Sequence, residues 1–110
     1  MKKILLGFTL FISLTQIINA IGQTPVTTIA YISVYPNATI IRVANAHGNE
    51  DGCTFSAATS FLLLPNDGSF GSNSLYAALL SAQATGTTVT LGYSGCSQNF
   101  PTMNRIDFVQ

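Results

Sequence analysis

Charge is the scarcest property of this chain. Four basic and four acidic residues are spread over 110 positions. Lys2 and Lys3 stand at the extreme N-terminus, so Arg42 and Arg105 are the only Lys or Arg side chains further along, facing Glu50, Asp51, Asp67 and Asp107. A nucleic-acid surface displaces phosphate counterions with clustered Lys and Arg. Two scattered arginines cannot do this, which excludes nucleic acid and, for the same reason, an anionic lipid surface. Titratable chemistry is equally thin. His47 is the single histidine, and no G-x-S-x-G elbow accompanies it to frame a Ser–His–Asp hydrolase. Glu50 and Asp51 are adjacent and could form a glycosidase-type pair, or hold a hard cation with His47, Asn49 and Asp67. Their spacing fits no EF-hand or zinc pattern. They lie in the most polar stretch, where carboxylates are ordinarily hydrated. The sequence therefore predicts no catalytic residue, no cofactor and no metal site.

Cysteine is also rare. Cys53 and Cys96 are the only two, with no C-x-x-C spacing. An even count in an exported chain predicts one structural disulfide. Closing so long a loop restricts the unfolded chain by roughly 4 kcal/mol in the entropy model. Export itself is predicted from the start of the chain. Lys2 and Lys3 precede an apolar run from Ile4 to Leu14, and small residues follow at Ala20 and Gly22. This reads as a signal peptide over residues 1–22, cut after Ala20 or Gly22, with one domain over 23–110. The run is interrupted by Thr9 and Ser13 and is short for a span of roughly 20 residues, so the mature form is expected to be secreted or periplasmic with no membrane span. Thr, Ser, Asn and Gln then carry the surface polarity. Such a surface suits either burial against copies of the same chain or hydrogen bonding to neutral ligands such as sugars.

Residues 72–96 organise the rest. Leu75, Leu79 and Ala82 recur at helical spacing, with Tyr76, Leu80 and Gln83 beside them. Ser72, Asn73 and Ser74 offer caps at the start, and Gly86 offers the left-handed stop. Thr87 to Tyr93 alternates as a strand, with Val89, Leu91 and Tyr93 on one side. Upstream, Val26 to Tyr35 and Ala38 to Asn45 read as strands joined by a Pro36-Asn37 turn. Ala46 to Gly52 reads as an exposed loop, and Thr54 to Leu64 as a third strand ended by Pro65. Downstream, Ser94 to Pro101 reads as a loop. Arg105 to Val109 reads as a last strand with Ile106 and Phe108 buried.

The order β-β-β-α-β-β is that of a mainly β protein with one helix, a five-stranded OB-fold-like barrel. A flat antiparallel sheet with the helix across one face is the competing architecture. OB-folds bind ligands on the face around strands two and three and in the loops after strands one and four. That places the candidate binding set at Tyr31, Tyr35, Asn37 and Arg42, with Ser97, Gln98, Asn99 and Phe100 from the later loop. Tyr rings stack on sugar C–H faces, and Asn, Gln and Ser satisfy hydroxyls. Half-buried packing and plain solubility are the ordinary roles of the same residue types.

The stretch LYAALLSAQATGTTVTLGYSGC, Leu75 to Cys96, resembles the helix–glycine–strand–cysteine segment in the binding subunits of subtilase-cytotoxin and pertussis-like toxins. The final strand with Ile106 and Phe108 is similar more loosely. The resemblance implies an OB-fold and a homopentameric ring. It also implies recognition of a cell-surface glycan and a separate catalytic A chain. The rival expectation is a periplasmic structural or inhibitor-type module that binds a protein partner through a strand edge or the Ala46–Gly52 loop.

Overall fold

The computed structural model describes residues 22–109. The expected leader, apart from Gly22, lies outside the described residues. Six strands and one helix follow one another: β1 (Gly22–Gln23), β2 (Ile29–Tyr35), β3 (Ala38–Val43), β4 (Phe61–Pro65), α1 (Phe70–Thr85), β5 (Val89–Ser97) and β6 (Phe100–Phe108). The described residues are mainly β with one helix, as their pattern predicts. The strands form one mixed sheet in the order β1-β5-β6-β4-β3-β2. Every pairing is antiparallel except β4 with β6, which meet in parallel at Leu63 and Thr102.

The five-stranded barrel is corrected to a six-stranded open sheet. The extra strand is β1, two residues that lie ahead of the first predicted run, and that run itself begins to pair with β3 only at Ile29. Gly22 and Gln23 pair with Tyr93 and Gly92 of β5. Thr27 then exchanges backbone hydrogen bonds with Val89 at 2.8 and 2.9 Å. Only from Ile29 does the chain pair with β3, with a register shift between Ile29 and Tyr31. Val26, expected in a strand, is left exposed.

The helix bears out the central reading. Leu79 and Ala82 are buried and Leu75 packs against the core. Gly86 is left-handed with φ 67°, and its N–H donates to the Ala82 carbonyl, the αL stop that a Cβ would strain. The start is corrected. Ser69 is the cap, its hydroxyl accepting from the Ser72 N–H at 3.1 Å. Ser72 lies one turn inside and donates its own hydroxyl to the Pro65 carbonyl at 2.6 Å. That bond fastens the helix to the end of β4.

The third strand is shorter than its alternation suggests. Residues from Phe55 to Ser60 coil instead, with Ala58 N–H donating to Phe55 and Ser60 N–H to Ala57. The reason lies in packing: the Phe55 ring turns back to stack on Phe100 at 4.2 Å. Leu62, Leu63 and Leu64 are then all buried, because both faces of β4 are covered. The expected loop at Ser94 to Pro101 is instead a hairpin, with Ser97 paired to Phe100 across Gln98 and Asn99. The last strand is accordingly longer. Ile106 packs against the core as predicted, whereas Phe108 is exposed.

One apolar cluster joins the elements. Ile41 and Val43 from β3, Leu62 and Leu64 from β4, Leu79 from α1, Val89, Leu91 and Tyr93 from β5, and Met103 from β6 are its centre. Each fully buried Leu or Val contributes roughly 1.5–3 kcal/mol of transfer free energy. The sheet face opposite this cluster is where candidate ligand contacts remain.

Candidate functional site

Antiparallel register fixes which side chains share that face. Tyr31 pairs with Arg42, and Arg42 with Phe61. Ser33 pairs with Ile40, and Ile40 with Leu63. Tyr35 pairs with Ala38, and Ala38 with Pro65. Because side chains alternate along a strand, these three rows stand side by side.

A cleft of about 270 Å³ opens at the Tyr35 end of these rows. Tyr35, Pro36, Asn37, Ala38, Ile40, Gln98 and Phe100 line it. Two hairpin turns make its rims. Pro36-Asn37 joins β2 to β3, and Gln98-Asn99 joins β5 to β6. Gln98 and Asn99 both hold positive φ, 51° and 72°, as a two-residue primed turn requires. Left-handed backbone is uncommon for a residue with a Cβ, and Asn tolerates it best. Tyr35 is 55% exposed, a ring offered to solvent rather than used in the core. No charged side chain lines the cleft.

An aromatic cluster continues the face from Phe100. Phe55 stacks on Phe100 and meets Phe61 edge-on at 5.4 Å. Tyr31 meets Phe61 at 6.2 Å. The Arg42 guanidinium lies 5.8 Å from the Phe61 ring centre and 6.0 Å from that of Tyr31, within cation–π range.

Of the predicted set, the structure brings Tyr35, Asn37, Gln98 and Phe100 into one cleft. Tyr31 and Arg42 stand on the same face at its far end. Ser97 pairs with Phe100 but does not line the cleft, its hydroxyl sharing a hydrogen bond with Thr102 at 2.8 Å. Asn99 is exposed at the turn tip, with its carbonyl accepting from the Phe55 N–H. Ile40 and Phe61 were missed. Their signal was available, since Ile41 and Val43 occupy the core phase of β3 and leave Ile40 and Arg42 outward.

A second polar cluster corrects the reading of His47 within the Ala46–Gly52 loop, whose other residues are exposed or half-buried. His47, expected to be solvated, is 6% exposed, and its ring packs 4.9 Å from that of Tyr93. Its Nδ1 donates to the Gly48 carbonyl at 2.7 Å, while Nε2 is buried without a partner. Tyr93 donates its hydroxyl to Glu50 Oε1 at 2.7 Å and to the Gly48 carbonyl at 3.0 Å. Burial and then the Glu50 carboxylate push the Tyr93 hydroxyl well above the ordinary phenol range. Asp51 accepts from the Gly95 N–H at 2.6 Å. Asn49 bonds both backbone groups of Cys53 at 2.9 Å.

Cys53 and Cys96 form the predicted disulfide, with Cα atoms 5.7 Å apart. Their polar neighbours are therefore occupied in holding the loop. Among the described residues no three His, Cys, Asp or Glu side chains converge as a metal set, and no helix is long and apolar enough to cross a membrane.

A further cleft of about 250 Å³ lies at the start of α1, between Leu64, Asp67, Ser72, Leu75 and Met103. Ser69 holds the Asp67 carboxyl below the usual range, first through its side chain and then through its N–H. Comparison with family models, curated proteins and solved structures found no match to this chain.

Proposed function

We propose that this chain is an exported, non-catalytic binding protein of the toxin B-subunit kind. Its cleft between the Pro36-Asn37 and Gln98-Asn99 turns takes a neutral ligand, a cell-surface glycan. The observation that carries the reading is the cleft's lining. It pairs an exposed tyrosine with amide side chains and contains no charge. A sugar needs such a combination: a ring for its C–H face and neutral donors and acceptors for its hydroxyls. The cleft also lies at the loops and strand face that OB-folds use.

An OB-like, partly open roll is part of the proposal. Its support is the order β2-β3-β4-β6-β5, the parallel contact of β4 with β6, and the Thr27–Val89 pair. That pair carries the segment ahead of β2 back to β5, with β1 as a short extension. Self-assembly into a ring of five, with a separate A chain, belongs to the same proposal. The low charge supports it, because copies of the chain repel one another little.

The test is a printed array of cell-surface glycans probed with the folded, disulfide-bonded protein. Binding to a defined set of structures, lost in Tyr35→Ala at unchanged melting temperature, is the expected result. Light scattering on the same sample reads the subunit number, and a strict monomer removes the ring.

A second reading rests on the edge of the sheet. β2 is an edge strand of seven residues, IAYISVY, with no charge and no proline. Edges of this kind accept an added strand. A protein partner would then pair along β2, and a charge placed on its other face by Val34→Lys, at an exposed position, would abolish capture while sparing glycan binding.

A further inference from the structure

Two cleavage sites fit the leader, after Ala20 and after Gly22, and the sequence treats them alike. Gly22 satisfies a peptidase that wants a small residue before the cut. The fold gives the same glycine a different reason. Gly22 is buried in β1 and paired with Tyr93. A Cβ on it would overlap the Tyr93 ring, at Cε1 and Cζ. Only glycine lets the strand lie flat on that ring.

The residues that follow are stitched to β5 without a gap. Gln23 pairs with Gly92, and its Oε1 accepts from Arg105 Nη2 at 2.6 Å. Thr24 is 2% exposed. Its N–H donates to the Leu91 carbonyl at 2.9 Å, and its hydroxyl oxygen accepts from the Leu91 N–H at 2.9 Å.

We infer that the exported chain is cut between Ala20 and Ile21, and that Gly22 is a structural residue of the mature protein. In that hydrolysis water adds its oxygen to the Ala20 carbonyl carbon and the Ile21 nitrogen leaves with a proton. The inference uses the leader reading and is independent of the ligand. A cut after Gly22 has three costs. It removes the β1 partner of Tyr93 and uncovers a ring that is 1% exposed. It also sets a new ammonium on Gln23, whose side chain already holds the Arg105 guanidinium. Because Tyr93 carries the bonds to Gly48 and Glu50, the disturbance reaches the His47 loop.

The experiment is export of the full chain from a bacterial host, followed by intact mass and N-terminal fragment analysis of the purified product. A start at Ile21 is expected, in the wild type and in Gly22→Ala alike. A start at Gln23 or beyond overturns the inference. An uncut chain overturns it together with the leader reading. Thermal melting gives a second measure. A chain made to start at Gln23 is expected to melt about 5 °C or more below one that starts at Ile21. Equal melting temperatures would remove the structural role of Gly22.

Discussion

Two regions along β5, its middle at Tyr93 and the turn that follows Ser97, use their polar atoms in opposite ways. At Tyr93 nearly every group is taken. The hydroxyl has two acceptors, Asp51 and Asn49 hold backbone atoms, and a disulfide closes the loop nearby. At Gln98, where the strand turns into β6, the side chains face an open cleft, and Tyr35 across it is more than half exposed. The contrast separates stability from binding. His47, Glu50 and Asp51 gather at the satisfied region, and no charged side chain lines the cleft. Chemistry-bearing residue types therefore mark scaffold here, and neutral ones mark the candidate site.

The largest expected effect comes from breaking the satisfied region. Replacing both cysteines by alanine is expected to cost about 4 kcal/mol, read as a lower denaturant midpoint under oxidising conditions. Leu79→Ala, beneath the same sheet, is expected to cost about 3 kcal/mol through the cavity it leaves. Tyr93→Phe keeps the ring and loses the hydroxyl bonds, for an expected loss of about 1–2 kcal/mol.

That last variant also sharpens the comparison in alkali. The Tyr93 hydroxyl titrates higher in the fold than in the unfolded chain. The neutral form is thus the one the fold favours, and its contribution is complete below the ordinary value of 10.0. Stability should fall as pH rises above that value, because the unfolded chain ionises first. Unfolding midpoints measured from pH 8 to 11 should fall less in Tyr93→Phe than in the wild type. The smallest effect on stability belongs to the cleft. Tyr35→Ala should move the midpoint by no more than about 0.5 kcal/mol, as an exposed substitution does.

Most of the scaffold was legible in the sequence where one signal acted alone. Leu75, Leu79 and Ala82 had no competing period, and Gly86 had only one role to play. The reading failed where a tertiary contact overrode local pattern. Phe55, Ala57 and Thr59 alternate like a strand, yet Phe55 turns back to Phe100 and the segment coils. Gln98-Asn99 carries no glycine, so a turn with two positive φ angles was hidden inside an amide-rich loop. His47 looked solvated because the Tyr93 ring that packs against it comes from β5, far along the chain.

The candidate site was legible in part for the same reason. Tyr35, Asn37 and Gln98 announced themselves as polar turn residues. Ile40 and Phe61 belong to the site only because two ladders set them beside Tyr31 and Arg42. β1 escaped notice because two residues are too few for any periodicity and stand beside the leader.

The most direct measurement is the glycan array read for the wild type and for Tyr35→Ala, each first shown to be folded with its disulfide closed. Selective glycan binding that disappears in Tyr35→Ala, at matched melting temperature, is the predicted result. No binding by the folded wild type, or binding that Tyr35→Ala leaves intact, would contradict a glycan site in this cleft.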